Sequence, residues 1–301
     1  MPVHNGERFL KEAIESVLKQ SYTNFEFLII ENCSTDQSLG IIKSYEDPRI
    51  RIIKENDCGK VQAYNRGFKE AKGEYIFIHD QDDISHSQRF KKQLRTMLNK
   101  NIDICGSYYN IINVEGKILG KQMLPIIYDD IKDQLPFKNW VLFNSSLCIK
   151  KKIFYEYGFF DGEYYPSSDY EFYLRIKDKC KYSNIPEYLY NWRRNKNQIS
   201  ISLKKETINK SLNLSLKYLE MIRNKLEIQV YYFNKGLVYY YNNYLLKAFY
   251  FFLKSLTLST NRPRKLIRYL FIVSLFGLPL KILRNTDIIY SPLFIFFKRL
   301  F

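Results

Sequence analysis

Three carboxylates lie within four positions, at Asp80, Asp82 and Asp83, directly after residues 73–79. That segment opens on a turn glycine and is rich in aromatic and β-branched residues, a pattern that predicts a buried strand. Carboxylates at the C-terminal end of such a strand lie in the crevice where open α/β sheets bind ligands. Like charges this close repel unless a cation lies among them, and Mg²⁺ typically takes one or two carboxylates together with substrate phosphates. The spacing predicts either a divalent-cation site or a solvated acidic turn.

Strands and helices alternate in the pattern that precedes these carboxylates. The predicted strands cover residues 25–30, 49–55 and 74–79, and the predicted helices cover residues 7–20, 34–45 and 61–71. Alternation of this kind implies a parallel sheet with right-handed crossovers, and therefore an α/β fold.

Four short motifs follow one another in the order Pro2-Val3-His4-Asn5-Gly6, Ser34-Thr35-Asp36, Asn65-Arg66-Gly67 and Asp80-Gln81-Asp82-Asp83. Their order and spacing resemble the inverting family 2 glycosyltransferases of GT-A fold, over roughly residues 1–200. The resemblance implies a Rossmann-like, mostly parallel sheet flanked by helices. It also implies that this domain binds a nucleotide-sugar, usually a UDP-sugar, whose diphosphate is bridged to the Asp-x-Asp motif by Mg²⁺ or Mn²⁺.

The resemblance assigns roles to individual side chains. The metal site would consist of Asp82 as the main ligand and Asp80, which would contact the ribose or a metal-bound water. Asp83 would brace the loop. The residues expected to bind the nucleotide-sugar are Pro2, His4, Asn5, Glu31, Asn32, Asn65, Asp80 and Arg193.

A further acidic residue, Asp169, stands at the predicted start of a helix, within a segment that resembles the family's acidic motif. By that match Asp169 is the catalytic base. Sugar transfer with inversion needs a carboxylate that takes a proton from the acceptor hydroxyl. A carboxylate at a helix N-terminus keeps a low pKa, so Asp169 is expected to be ionised at neutral pH. The other interpretation of Asp169 is a plain helix cap, a role that Ser168 could also fill.

The sequence departs from the family's pattern in several places. Family members usually carry several more apolar residues before Pro2, which favours a start codon assigned too late over a true truncation. A missing central strand would leave unpaired backbone groups in a buried sheet. Asn32 stands where an Asp is common and could pair with uracil or another base. Asn195 replaces a frequent His ligand, so metal coordination would rest on Asp82, the diphosphate and water. The segment around Arg193 could stabilise the leaving diphosphate or form an exposed basic loop.

The five cysteines, Cys33, Cys58, Cys105, Cys148 and Cys180, are scattered and form no C-x-x-C pair. This pattern predicts reduced cysteines in a cytosolic compartment and no zinc site. We predict no signal peptide. The longest apolar run has 12 residues, at positions 269–280; because a spanning helix needs about 20, we predict no transmembrane segment.

The C-terminal third differs in composition from the rest. Residues 201–301 hold 17 Lys and Arg against 4 Asp and Glu, which could meet nucleic acid or an anionic membrane. Their many Phe, Leu, Ile and Tyr residues favour the membrane. A tetratricopeptide-like helical hairpin or a generic helix pair is expected at residues 232–255, and residues 266–283 and 288–301 suit in-plane membrane helices or ordinary core packing.

We therefore expect a catalytic domain at residues 1–200 and a helical, basic, membrane-associating region at residues 201–301. The predicted enzyme is cytoplasmic and peripheral at the inner face of the membrane, with no nucleic-acid partner. It would transfer a hexosyl or N-acetylhexosaminyl group from a nucleotide-sugar to a hydroxyl of a glycan or lipid-linked acceptor, with inversion. The alternatives are a nucleotidyltransferase, which would normally show a Gly-rich phosphate loop, and a non-catalytic relative that binds membrane or partner proteins.

Overall fold

The computed structural model describes residues 1–196, 198–242 and 244–258. Its chain divides into two compact units, Met1–Leu214 and Ser215–Phe301, so the division falls somewhat later than the predicted boundary after residue 200. The segments 266–283 and 288–301, for which membrane contact is predicted, lie outside the described residues.

The first unit alternates strands and helices as expected. Its strands are β1 (Pro2–Val3), β2 (Phe27–Asn32), β3 (Ile50–Glu55), β4 (Tyr75–Phe77), β5 (Ile84–Ser85), β6 (Ile104–Ile112), β7 (Ile118–Gln122), β8 (Cys148–Lys150) and β9 (Tyr182–Arg193). Its helices are α1 (Glu7–Leu18), α2 (Ser38–Lys43), α3 (Lys60–Glu70), α4 (Arg89–Lys100), α5 (Tyr128–Gln134), α6 (Lys152–Tyr157), α7 (Ser168–Ile176) and α8 (Ile199–Ser202). Helix α9 (Lys204–Met221) runs across the division into the second unit.

The strands form two sheets. In the first, β1, β2 and β3 are parallel, with Val3 opposite Glu31 and Asn32 opposite Glu55. In the second, the order is β4-β8-β6-β9-β5, with β7 paired to β6. Strands β6 and β9 are parallel there, whereas the other pairs are antiparallel. The predicted α/β class is confirmed.

Helix α1 covers one face of the first sheet because its apolar residues recur at helical spacing. Leu10, Ile14 and Val17 are buried on this face and pack in one cluster with Val3, Phe27, Ile29, Ile42 and Phe90. This packing fixes the loop after β1 and the end of β2, where several of the predicted site residues lie.

A cavity of about 1000 Å³ is lined by residues of both sheets, which share no strand. It is lined by residues of β2 and β4 and by apolar side chains of α3 and α4, among them Leu28, Phe77 and Phe68. The Met1 ammonium donates a hydrogen bond to the Leu28 carbonyl at 2.8 Å, and burial lowers the pKa of this ammonium to about 5. Strand β1 pairs only with Ile30 and Glu31 of β2, and β4 is the last strand of its own sheet, so no strand of the described chain joins the two sheets beside this cavity.

Two helices of the second unit, α10 (Ile228–Tyr241) and α11 (Leu245–Leu258), pack against each other. Tyr240, Ala248 and Phe252 are buried between them. A Cβ atom at Gly236 would lie 2.5 Å from the Phe252 ring, so only glycine permits this close approach. The predicted helix pair is therefore confirmed. No helix among the described residues is long and apolar enough to cross a membrane.

The cysteines correct one prediction. Cys33 and Cys58 are joined by a disulfide, so the expectation that all cysteines are reduced is wrong. The end of β2 and the loop after β3 bring their Cα atoms to 5.8 Å, a proximity that a sequence separation of 25 residues does not reveal. Cys105, Cys148 and Cys180 are free and buried, as expected of small apolar side chains.

Candidate active site

The loop after β1 and the acidic loop (residues 80–83) are bonded directly to each other. The main-chain N–H of His4 donates to Gln81 Oε1 at 2.8 Å, and Gln81 Nε2 donates to the His4 carbonyl at 2.9 Å. His4 also bonds through Nδ1 to the Asn32 carbonyl at 2.7 Å. Residues from the ends of β1, β2 and β4 therefore meet at one place, as the crevice argument predicts.

Both carboxylate oxygens of Asp80 have partners. Tyr64 donates its hydroxyl hydrogen to Oδ1, and Ser145 donates to Oδ2 at 2.7 Å. The Lys60 ammonium lies 3.6 Å from Oδ2. Burial alone would raise the pKa of Asp80, but Lys60, Tyr64 and Ser145 outweigh it, so the pKa is lowered. Asp80 is therefore an ionised, firmly positioned carboxylate.

Asp82 differs from Asp80 in its surroundings. Its Oδ2 accepts hydrogen bonds from Gln198 at 2.9 Å and from Asn195 at 3.4 Å. Burial and the neighbouring charge of Asp80 raise the pKa of Asp82. A cation beside Asp82 would stabilise its carboxylate form and lower its pKa again.

Asp83 ties the acidic loop to β9. It is 1% exposed, and its Oδ1 accepts a hydrogen bond from the Arg193 N–H at 2.8 Å. Its Oδ2 has no hydrogen-bond partner among the described residues. Burial raises the pKa of Asp83 well above its ordinary value. The bracing role expected of Asp83 agrees with these contacts.

Asp169 lies in the first turn of α7, where its Oδ1 accepts a hydrogen bond from the Tyr170 N–H at 2.8 Å. Burial raises the pKa of Asp169, and this effect outweighs the Tyr170 hydrogen bond and the charge of Lys60. The expectation of a low pKa is therefore wrong, because the helix terminus is buried. Ser168 does not cap the helix: its buried hydroxyl oxygen has no hydrogen-bond partner in the described chain.

Lys60, the first residue of α3, connects these acids electrostatically. Burial alone would lower the pKa of its ammonium, but the charges of Asp80, Asp82 and Asp169 outweigh it and raise the pKa. Asp80 in turn acts on Asp169, whose pKa it raises. The charges of the acidic loop and of the predicted base therefore act on the same ammonium.

Arg193 does not have the surroundings expected of a diphosphate clamp or of an exposed basic loop. It is 1% exposed, and its guanidinium donates to the carbonyls of Asp82 at 2.8 Å and Val114 at 3.0 Å. It also forms an ion pair with Glu12 and lies over the Phe9 ring. These contacts hold the acidic loop in place. Every nitrogen of the guanidinium already donates to a protein oxygen, so Arg193 has no nitrogen left over for a diphosphate.

Two residues expected to face the nucleoside lie at the end of β2. Glu31 is 6% exposed and accepts a hydrogen bond from the Ser34 N–H at 2.7 Å. Asn32 is 4% exposed and accepts from the Gly59 N–H at 3.2 Å. Each side chain thus positions a neighbouring loop, and the Nδ2 group of Asn32 keeps donor capacity.

The remaining predicted residues are placed as follows. Pro2 pairs with Ile30 in β1. Asn5 is exposed at φ 48° and accepts from the Thr35 N–H at 2.8 Å. Asn65 donates to the Phe160 carbonyl at 2.8 Å and accepts from the Phe160 N–H at 3.0 Å. Asn65 therefore anchors the loop that leads to α7.

Four side chains of the site were not predicted as ligand-binding residues. They are Lys60, Tyr64, Ser145 and Gln198. Lys60 and Tyr64 stand at i and i+4, so they share one face of α3, and that spacing upstream of Asn65 is the signal that could have found them. Nothing local to Gln198 indicates its contact with Asp82, since the two are 116 residues apart.

Comparison with known proteins gives a consistent result. Residues 1–158 match the family described as Glycosyl transferase family 2. An uncharacterized glycosyltransferase of Methanocaldococcus jannaschii is 35% identical over 195 residues, which cover 62% of this chain and 66% of that protein. An O-antigen biosynthesis glycosyltransferase of Escherichia coli, WbnJ, is 30% identical over 200 residues, which cover 64% and 77%. The chain thus spans about two thirds of the archaeal relative's length.

One solved structure extends the comparison to the fold. The S. aureus TarS 1-349 structure in complex with UDP-GlcNAc superposes with a TM-score of 0.62 at 14% identity. The superposition covers 89% of this chain and 85% of that chain. At this identity the likeness shows the shared fold, which is that of a GT-A glycosyltransferase.

Proposed function

The chain belongs to glycosyltransferase family 2 and is a glycosyltransferase, and from this we propose that it transfers a sugar from a nucleotide-sugar to a hydroxyl of a glycan or lipid-linked acceptor, with inversion. Relatives of the chain act in polysaccharide biosynthesis, which favours a surface-glycan acceptor. The observation that supports the proposal best is the position of Lys60, whose ammonium lies 3.6 Å from Asp80 Oδ2 and whose pKa is raised by the charges of Asp80, Asp82 and Asp169.

We assign Asp169 the role of general base. A base works best when its pKa lies near the working pH, because it must be ionised and still hold a proton readily. Burial raises the pKa of Asp169, which moves this carboxylate in that direction. The acceptor hydroxyl would lose its proton to Asp169 as its oxygen attacks the sugar carbon opposite the leaving diphosphate.

Glycosyltransferases of this fold commonly use a divalent metal, and the donor set fits one held at Asp82. No group of three or more His, Cys, Asp and Glu residues in the described chain could hold a metal ion alone. Mg²⁺ and Mn²⁺ sites of nucleotide enzymes are typically completed by substrate phosphates and water. Asp82 would hold the ion, and Asp80 would stay hydrogen-bonded to Tyr64 and Ser145. A bound ion would stabilise negative charge on the departing diphosphate.

The donor is proposed to be a UDP-sugar. The nucleoside would lie against the loop after β1 and the end of β2, where His4, Glu31 and Asn32 are held together. Asn32 does not determine which base the donor carries, since an amide can pair with uracil or with another base.

Peripheral membrane contact at the inner face of the cell membrane remains a proposal for the C-terminal region. Vesicle flotation of the full chain and of a chain lacking residues 264–301 tests it on anionic liposomes. We expect the shorter chain to remain in the dense, lipid-free fraction, because it lacks the basic, apolar segments. Equal flotation of the two chains would contradict membrane contact through this region.

The proposed reaction is tested by transfer assays with a panel of nucleotide-sugars and Mn²⁺, comparing the wild type with Asp82→Ala and Asp169→Asn. We expect both variants to lose activity by about 100-fold or more, since one removes the metal ligand and the other the base. Turnover of both variants at the wild-type rate would refute both assignments.

A further inference from the structure

The Lys60 side chain is held in place but is not fully occupied. Its ammonium lies 3.6 Å from Asp80 Oδ2 and 5.6 Å from the centre of the Tyr64 ring. The side chain is 35% exposed. An ammonium has three hydrogen-bond donors, and the ion pair with Asp80 is long for a hydrogen bond. Lys60 therefore has hydrogen-bond donors that a further anion can accept from.

A nucleotide-sugar diphosphate needs a cation at this site. Asp80, Asp82 and Asp169 already place negative charge there, and a diphosphate adds more, so the donor would be repelled by an uncompensated cluster. Arg193 cannot supply the compensation, because its guanidinium is bonded to Asp82, Val114 and Glu12.

The main chain next to Lys60 is attached to the predicted nucleoside end of the site. The Gly59 N–H donates to Asn32 Oδ1 at 3.2 Å, and the disulfide between Cys33 and Cys58 joins the same two segments. Lys60 thus follows directly after the segment that holds Asn32, and its charge acts on Asp169. A diphosphate lies between the nucleoside and the transferred sugar, which places it between these two ends.

Given the proposed function, on which this inference rests, we propose that Lys60 binds the diphosphate of the donor, exchanging its ion pair with Asp80 for phosphate oxygens. Tyr64 and Ser145 keep Asp80 hydrogen-bonded after the exchange. Lys60 then adds a positive charge at the leaving group that does not depend on a metal ion.

Calorimetric titration with UDP, GDP and the matching nucleosides tests this role, each with Mn²⁺ and with EDTA. The proteins are the wild type, Lys60→Met, Lys60→Arg and the control Lys43→Met, whose lysine is exposed at the end of α2. We expect Lys60→Met to lose about 10- to 100-fold in affinity for the diphosphate that the wild type binds, with and without Mn²⁺. Its affinity for the nucleoside should not change. Lys60→Arg should stay within a few-fold of the wild type, and Lys43→Met should match it.

Equal affinity of Lys60→Met and wild type for the diphosphate overturns this inference and leaves the proposed function standing. An equal loss for diphosphate and nucleoside also overturns it, because that pattern belongs to a purely structural residue. A wild type that binds neither nucleoside diphosphate refutes the nucleotide-sugar proposal itself, and this inference with it. If Lys60→Met does not fold, as judged by circular dichroism, Lys60→Gln takes its place in the same comparison.

Discussion

Gln198 donates a hydrogen bond from Nε2 to Asp82 Oδ2 across 2.9 Å, although 116 residues separate them in the chain. Asn195 donates to the same oxygen at 3.4 Å. Two amides therefore orient one oxygen of the proposed metal ligand. Through these contacts the loop after β9 becomes part of the site.

Gln198→Ala should weaken metal use without removing the ligand. Hydrogen bonds to a ligating carboxylate orient it, and their loss typically costs about tenfold or more in metal affinity or activity. We expect the Mn²⁺ concentration for half-maximal transfer to rise by about tenfold. The measurement is transfer rate against Mn²⁺ concentration, with Gln37→Ala as the control because Gln37 is exposed before α2. An unchanged Mn²⁺ dependence would contradict a supporting role for Gln198.

Asp169 should control the acid limb of the pH–rate profile. Burial raises the pKa of this carboxyl, and only its deprotonated form can accept the acceptor's proton. Activity should therefore fall as pH drops through a value above about 3.9, the ordinary pKa of an aspartate. We expect Asp169→Asn to abolish this limb and to lower kcat by about 100- to 10,000-fold.

The control for that prediction is Asp129→Asn, because Asp129 is an exposed acid in the first turn of another helix, α5. It should keep the wild-type rate and the wild-type pH profile. A profile of wild type that shows no acid limb above the ordinary aspartate pKa would count against Asp169 as the base.

Filling the cavity between β2 and β4 should stabilise the protein. Burial lowers the pKa of the Met1 ammonium from 8.0 to about 5. Between these two pH values the unfolded chain binds more protons than the folded one. The free energy of unfolding therefore decreases as the pH falls from 8 towards 5. A four-residue apolar extension placed before Met1 removes this charge from the cavity. It also offers a strand that can pair with the start of β2 and the outer edge of β4.

We expect that extension to raise the melting temperature at pH 6 by several degrees, since about 1 kcal/mol corresponds to roughly 2–4 °C for a unit of this size. A Gly/Ser extension of equal length is the matched control and should gain less, because it buries no apolar surface. Equal melting temperatures for the three chains would show that the cavity does not accept a strand.

The disulfide should contribute measurably to stability. It closes a loop of 25 residues, for which the chain-entropy relation gives about 3 kcal/mol. We expect the double variant Cys33→Ser/Cys58→Ser to lose a stability of this order in denaturant unfolding. Dithiothreitol should lower the wild-type midpoint to that of the variant and leave the variant unchanged. Identical midpoints for oxidised wild type and variant would contradict a stabilising bond.

Local patterns revealed much of this molecule. The apolar spacing of α1 and the strand before Asp80 each depend on a few neighbouring residues, and the structure has both elements. The α/β class followed from their alternation. The motifs also predict Asp80, Asp82 and Asp169 as site residues from the sequence alone.

Features that depend on distant segments could not be found in this way. The raised pKa of Asp169 results from burial, which its helix position alone does not indicate. The sequence predicts Arg193 either as a diphosphate-binding cation or as part of an exposed basic loop, and only the fold brings Glu12 and the Asp82 carbonyl to its guanidinium. The proposed role of Lys60 similarly depends on carboxylates from two other parts of the chain, the acidic loop and the first turn of α7.

Helix α3 carries Lys60 in its first turn and Asn65 in the next, and Asn65 holds the loop leading to α7 through both hydrogen bonds with Phe160. A displacement of this helix would consequently shift the cation and the loop before Asp169 in concert. Redesign of the proposed donor choice is therefore best directed at Glu31 near the end of β2, whose hydrogen bond from the Ser34 N–H does not involve α3.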